Sequence, residues 1–307
     1  MHAVVAGASG FIGSHLVSHL SAAGARVSKV GRVGGARPPG YLAPGLLEPD
    51  VARIEAALDG VDVVYLIAGM AHGNLSGREA AELEAVNVAA PLRWHRAAVR
   101  AGVPRFVWLS SIKVLGEHSA RPLRPDDPYA AGDAYARSKA AAEQRLRAQD
   151  AGATALCIVR PPLVYGPGVG ANFLELLRWA DSGWLLPLGS ARAPRSMVAV
   201  GNLCSLLLRL AAAGSGTFHV ADGADWSTEA LITGARQLLG RPRRLLPVSP
   251  RLARIAAKAM GRQAQWSRLF LPLQVDQSDT QRHLGWQPPG DPEQALEETV
   301  TWFRTQR

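Results

Sequence analysis

In the first half of the chain, short runs that are apolar throughout alternate with longer stretches whose apolar positions recur at helical spacing. "AVVAG" (3–7) reads as a buried strand, and Gly10 to Gly24 as a helix. "ARVSKV" is a second strand. "RVGGARPPGYLAPG" (32–45) is a loop by its glycine and proline content. A short helix in "DVARIEAALDG", a third strand in "VDVVYLIAG" and one long helix over 77–102 follow. "PRFVWLSS", "YARSKAAAEQRLRAQDAG" and "ATALCIVRP" continue as strand, helix, strand. All-apolar strands separated by helices predict a parallel sheet covered on both faces, a doubly wound α/β fold. After "RPPLVYGPG" (160–168) loops multiply and helices come in pieces, while "GTFHVADG" (216–223) reads as one more strand returning to the sheet.

Composition narrows the class. The chain has 307 residues, 48% hydrophobic and 19% charged, which is globular and ample for a large core. Cys157 and Cys204, the only cysteines, sit in apolar runs without metal-ligand company. They read as core residues; no metal site and no disulfide framework are expected. No apolar run approaches roughly 20 residues, so no membrane span is expected. The N-terminus enters a strand at once, leaving no room for a signal peptide, and a reducing, cytoplasmic setting fits. The net charge of +9 is almost all scattered arginine with no nucleic-acid-binding motif, so no nucleic-acid partner is expected. A basic balance favours a phosphorylated ligand.

The turn after the first strand carries that ligand's signature. "VVAGASGFIGSHL" places Gly7, Gly10 and Gly13 as G-x-x-G-x-x-G between strand and helix. Gly7 permits a tight turn, Gly10 lets backbone approach a diphosphate, and Gly13 lets the helix pack on the strand. The diphosphate of a dinucleotide would sit on the helix N-terminus, beside Phe11 and Ile12, with Ala68 at the end of the third strand next to it. The fold expected is therefore a Rossmann-type sheet. Its dinucleotide-binding domain spans 1–165, with 198–222 returning to it, and a smaller, interleaved C-terminal substrate-binding domain spans 166–197 and 223–307. The second strand ends in "SKVGR", with Arg32 where NAD-binding chains carry a ribose-binding acid. An arginine can pair with a 2′-phosphate, which favours NADP(H), with NAD(H) as the alternative.

"DAYARSKAAAE" (133–143) then carries the chemistry. Tyr135 and Lys139 lie one helical turn apart on one face. The preceding strand delivers Ser110 and Ser111 to the carboxyl edge of the sheet, where ligands bind. Hydride transfer to or from an alcohol carbon also moves a proton. Tyrosine can carry it, and a lysine cation beside the phenol is expected to lower its pKa from about 10. Lys139 can also hold the nicotinamide ribose.

With "GASGFIG", "LSSIKVLGE", "YARSKAAAE", "RPPLVYGPG", "PRSMVAVGNL" and "HLGWQP" in place, nearly the whole chain resembles the extended short-chain dehydrogenase/reductases, in particular the nucleotide-sugar epimerase, dehydratase and reductase group. The resemblance implies Ser111, Tyr135 and Lys139 as the catalytic set. It implies Asn87 as support for the active-site network, and Arg160, Pro161 and Pro162 as the segment passing the nicotinamide. Asn172, Arg195 and Arg268 are implied as contacts to a nucleotide-sugar diphosphate, with Lys113 beside the catalytic serine. The chain departs from the family pattern at Leu46, where an adenine-contacting acid is common, at Leu115, where a tyrosine is usual, and at Asn202, which replaces an acid.

Two reactions compete at C4 of a nucleotide-activated hexose. A 4-keto reductase consumes NADPH once; a 4-epimerase oxidises C4 and returns the hydride to the other face, on a nucleotide sugar or a polyprenyl-linked one. The missing acid after the second strand tips the sequence reading to the reductase, on a UDP-N-acetylhexose of surface-polysaccharide synthesis. A dehydratase would want acids beside the serine, where the sequence offers Lys113. A catalytically silent dinucleotide-binding sensor is the non-enzyme alternative, set against the intact Tyr135 and Lys139. Finally, Arg236 to Arg268 carries many basic residues and no acid. "SPRLARIAAKAMGR" there reads as an amphipathic helix whose apolar side packs on the core, or else docks on an anionic membrane surface. Beyond the nucleotide sugar, a second copy of the chain is a further expected partner.

Overall fold

In this computed structural model, residues 1–31, 40–42, 45–70 and 77–306 are described. The chain runs β1 (His2–Ala6), α1 (Phe11–Ala22), β2 (Arg26–Val30), α2 (Val51–Ala56), β3 (Val63–Leu66), α3 (Gly77–Glu84), α4 (Ala90–Arg100), β4 (Arg105–Leu109), α5 (Ala134–Ala148) and β5 (Ala155–Arg160). It continues with β6 (Leu163–Tyr165), α6 (Ala171–Asp181), β7 (Arg195–Ala199), α7 (Val200–Ala212), β8 (Gly216–His219) and β9 (Asp225–Trp226). Then come α8 (Thr228–Leu238), α9 (Pro250–Ala259), α10 (Gln263–Phe270), α11 (Ser278–Leu284) and α12 (Pro292–Thr305).

Six strands form one parallel sheet in the order β2-β1-β3-β4-β5-β8. The apolar strands owe their uniformity to the two-residue period of their side chains. Ala3 and Val5 of β1 face a core layer with Leu16, Leu20, Leu203 and Leu207, from α1 and α7. Val4 and Ala6 face the opposite layer with Ile54, Trp94, Ala97 and Leu146, from α2, α4 and α5. Both cysteines lie in the first layer. The chain leaves β1 toward β2 on one side and β3 on the other, so the topological switch point falls at the end of β1.

The stretch expected as one long helix over 77–102 is interrupted. Ala85–Ala89 form a π-helical turn between α3 and α4. Pro91 explains it: proline has no N–H to offer the Asn87 carbonyl four residues back, and its ring pushes that carbonyl away. The wider turn holds Asn87 fully buried. A second, small sheet orders β6-β7-β9, so residues 195–199 pair with β6 while α7 and β8, which follow, join the large sheet.

One polar cluster fixes α5 on the sheet. Glu143 is fully buried and accepts from Arg160 at the end of β5, with Nη2 at 2.5 Å and Nε at 2.9 Å. It also accepts from Ser110 Oγ at 2.5 Å and Tyr129 Oη at 2.8 Å. Burial by itself would raise the Glu143 carboxyl; the Arg160 guanidinium and the two hydroxyls outweigh it and hold the group below the usual carboxylate range.

Removing one partner strands a buried charge, so Arg160→Met should cost about 3–5 kcal/mol of stability, read from urea unfolding; a loss under about 1 kcal/mol would refute the clamp. Because the folded-state pKa is depressed, the contribution of Glu143 is present above the unfolded carboxylate value of about 4.3 and fades as pH falls through the folded one. Glu143→Gln should therefore lower stability at neutral pH and flatten its decline in acid.

Candidate active site

At the switch point the glycine turn is geometrically tight. Gly7 has φ +97°, and a Cβ there would meet Ala68 N at 2.6 Å. A Cβ on Gly13 would strike the Gly7 carbonyl oxygen at 2.0 Å. Gly10 differs: its nearest neighbour would stand at 3.4 Å, and it starts α1 without a side-chain cap. The first N–H groups of a helix lack partners within it, so this turn presents free donors and the positive end of α1. Those features fit a dinucleotide diphosphate beside Phe11, Ile12 and Ala68. Leu46, where the family carries an acid, packs against the core and lends its carbonyl to Trp94 Nε1 at 3.1 Å. Arg32 lies outside the described residues.

The end of β4 separates the two serines. Ser110 is committed to Glu143. Ser111 accepts from Lys113 N at 3.3 Å, starting a 3-10 turn over Ile112–Leu115, and its hydroxyl is a hydrogen-bond partner of Tyr135. Pro161, just past β5, holds this turn through Ile112 N at 3.0 Å. On α5, Asp133 caps the helix by accepting from Ala136 N at 2.7 Å, which puts Tyr135 in the first turn. Tyr135, Lys139 and Glu143 follow at i, i+4 and i+8 on one face. Asn87 ties the helix to the strand beside it: it accepts from Met70 N at 2.9 Å and donates to Ser138 Oγ and to the Met70 carbonyl at 3.0 Å each.

The electrostatics correct one expectation. Lys139 is buried, donates to the Leu109 carbonyl at 2.8 Å and lies 4.7 Å over the Trp108 ring. Burial lowers its pKa to about 7, against the pull of Glu143. Its charge is then only partly present near neutrality and is directed at a carbonyl, not at the phenol. Tyr135 is accordingly pushed up to about 12, by burial and by the Asp133 carboxylate, with only the Ser111 hydrogen bond opposing.

Ser111, Lys113, Asn172, Arg195 and Arg268 all line one cavity of about 310 Å³ between the large sheet and the small one. Arg195, on β7, donates to the Leu271 carbonyl at 2.6 Å. Burial lowers its pKa to about 10; Glu117 opposes that and the neighbouring Arg268 adds to it. Arg268, on α10, donates to Glu117 at 2.9 Å. Asn172 stands exposed in the first turn of α6, which has no side-chain cap and begins at Ala171 with φ +50°, a strained value for a residue with a side chain.

Four groups escaped the sequence reading: Glu143, Ser110 as its partner, Glu117 and Asp133. The only sequence signal was Glu143 completing the i, i+4, i+8 series; Glu117 comes to the cavity from the loop after β4. The expectation of no acids beside the serine is corrected as well. Lys113 pairs with Glu117 at 2.8 Å and with Asp133. Burial would raise both carboxyls, but Lys113, joined at Glu117 by Arg268, holds them below their usual values. Both are therefore ionised, and neither is a proton donor for expelling a hydroxyl. The expected apolar packing of the amphipathic helix is also overturned: on α9, Leu252 is 62% and Ile255 63% exposed.

The family model described as "NAD dependent epimerase/dehydratase family" matches residues 3–221. A UDP-glucose 4-epimerase of Vibrio cholerae is 33% identical over 98% of this chain and 94% of its own. An N-acetyl-α-D-glucosaminyl-diphospho-ditrans,octacis-undecaprenol 4-epimerase of Escherichia coli O157:H7 is 27% identical over 76% of this chain and 71% of its own. The structure of MoeE5 in complex with UDP-glucose and NAD superposes with a TM-score of 0.79 at 24% identity, covering 100% of this chain and 99% of that one. With the glycine turn at the switch point and the tyrosine and lysine on α5, these matches place the chain in the NAD-dependent epimerase/dehydratase family, among the extended short-chain dehydrogenase/reductases, as a nicotinamide-dependent nucleotide-sugar enzyme.

Proposed function

We propose that the chain is a 4-epimerase of a diphosphate-activated hexose, with residues 1–165 and 198–222 as the dinucleotide-binding part and 166–197 and 223–307 as the substrate-binding part. The observation that carries the substrate class is Arg195 beside Arg268 in the cavity that also holds Ser111. A half-buried guanidinium pressed by a second one is a site that a diphosphate relieves. Asn172 and the uncapped start of α6 add donors on the same wall. Because Glu117 already holds Arg268, the substrate diphosphate has to compete with an internal carboxylate for it.

The nicotinamide, when bound, supplies the hydride acceptor and donor. Gly7, Gly10, Gly13, Phe11, Ile12 and Ala68 would hold its diphosphate end, with Asn87, Pro161, Lys139 and Tyr135 near the reacting end. Ser111 would orient the C4 oxygen; Tyr135, a neutral phenol in the ligand-free chain, would take the proton as a tyrosinate, a form that the positive charge of a bound oxidised nicotinamide would favour, and would return it after the 4-keto sugar has turned over. A single proton carrier suits this sequence, since the same oxygen is deprotonated and reprotonated. Lys139, titrating near neutrality, can respond to charge that develops beside the phenol.

The preference for a 4-keto reductase yields here to the epimerase, because relatives covering most of the chain are 4-epimerases. The reductase remains the second reading, on the single ground that no acid follows β2. Incubation with UDP-N-acetylglucosamine and UDP-glucose should give the C4 epimer with no net change in added nicotinamide. Stoichiometric NADPH loss on a UDP-N-acetyl-4-keto-6-deoxyhexose, with no epimer from either sugar, would reverse the order.

Tyr135→Phe should lower turnover by about 10² or more with cofactor affinity nearly unchanged, since only the proton path is removed. Wild-type turnover in that variant would remove Tyr135 from the mechanism. Arg195→Ala should weaken UDP binding by about tenfold or more, measured by calorimetry, and raise KM more than it lowers kcat. The cofactor preference is read separately, by titration. If Arg32 meets a 2′-phosphate, NADPH binds more tightly than NADH and Arg32→Asp reverses the order; equal affinities would discard that role.

A further inference from the structure

The basic segment that the catalytic reading leaves aside has an unusual surface. α9 packs on α10, and its least exposed residues are Ala253, half-buried, and Ala257, buried, one turn apart on one face. Next to that seam, Arg254, Lys258, Arg251 and Arg262 make a basic stripe. Beyond it, Ile255, Ala259, Leu252 and Ala256 make an apolar stripe that faces solvent, continued by Met260 at 64% exposure. Leu252 and Ile255 of this stripe are 62% and 63% exposed, so among the described residues it is not covered by protein. Exposed large apolar side chains also stand on the strand-like pair that precedes α9 in the chain. Leu186 N donates to the Arg244 carbonyl at 3.0 Å and Leu246 N donates to the Leu186 carbonyl at 2.8 Å, and there Trp184 is 75%, Leu185 61% and Leu246 46% exposed. The chain leaves this pair only a few residues before α9 begins at Pro250.

We infer that α9 and its neighbouring strand pair dock on the surface of an anionic lipid bilayer. Two properties select that occupant. From Arg236 to Arg268 the sequence has eight arginines, one lysine and no acid, so its charge complements an anionic headgroup layer. Leucine, isoleucine, methionine and tryptophan beside a basic stripe are the side chains that bury at the boundary between headgroups and acyl chains. Among the described residues no helix is long and apolar enough to cross a membrane, so the contact lies on the surface. α10, on which α9 lies, carries Arg268 and Leu269 into the substrate cavity, one helix away from the docked face. The contact does not depend on which sugar is turned over.

Flotation of the full-length protein with vesicles tests it. Vesicles of phosphatidylcholine alone are compared with vesicles that also contain phosphatidylglycerol, at low and at high salt. The wild-type chain is expected to float with the anionic vesicles at low salt and to be released by salt. Arg251→Gln/Arg254→Gln/Lys258→Gln should lower the partition coefficient by about 10²-fold, from about fivefold for each basic residue near the headgroups. Leu252→Glu/Ile255→Glu should abolish flotation while its melting temperature and its turnover of a soluble nucleotide sugar stay at wild-type values. Wild-type protein that stays at the bottom with anionic vesicles at low salt overturns the inference, as does flotation that Leu252→Glu/Ile255→Glu leaves intact. A solution dimer dissociated by Leu252→Glu/Ile255→Glu, with no vesicle binding, overturns it in favour of a second copy as the occupant.

Discussion

The Glu143 carboxylate, sealed between α5 and the sheet, sets the geometry of everything around it. A buried charge tolerates little displacement, because its desolvation is offset only while its partners stay in contact. Glu143 meets Arg160 from β5, Ser110 from the end of β4 and Tyr129 from the intervening loop. Three separate pieces of chain are thereby locked to one turn of α5. Lys139 and Tyr135 lie one and two turns earlier on the same face, so their placement against the strand ends follows from that lock. Ser110 is spent in making it, and Ser111, pointing the other way along an alternating strand end, is left for the cavity.

Around that frame the polar groups divide into those that are satisfied and those that are held short of satisfaction. Asn87 has its amide matched on both sides by Met70 and Ser138. The Asn202 amide is likewise matched, by Asp222 and by both backbone groups of Gly290, and Tyr165 completes the cluster through Asp222. The acid missing at position 202 is thus present in space at position 222. Lys139 and Arg195 are in the opposite condition. Both are basic groups in poorly solvated surroundings, with no carboxylate among the described residues in direct contact, and burial lowers the pKa of both. A charge on such a group costs stability where it stands.

The two outer faces of the C-terminal part follow the same logic on a larger scale. α10 turns Arg268 into the cavity, and α9, which packs on α10, buries only Ala257 while its leucine, isoleucine and basic side chains stay exposed.

The sequence by itself determined the parallel sheet, because strands buried on both faces have to be apolar throughout and the helices between them cannot be. It also determined the glycine turn, since φ +97° at Gly7 and the contact of Gly13 with the Gly7 carbonyl exclude any side chain. The i, i+4 pair of Tyr135 and Lys139 was equally legible, being a property of one helix. What depends on contacts between distant segments was not. The break at Asn87 came from Pro91 acting four residues back inside an otherwise regular pattern. The pairing of Glu143 with Arg160, and of Lys113 with Glu117 and Asp133, joins elements whose separation in sequence carries no signal. The direction of Lys139, toward the Leu109 carbonyl and not toward Tyr135, was fixed by burial against β4. The exposure of Leu252 and Ile255 was decided by where α10 lies, which the amphipathic period of α9 could not disclose. That period tells which residues share a face; only the tertiary structure says whether the face meets protein or solvent.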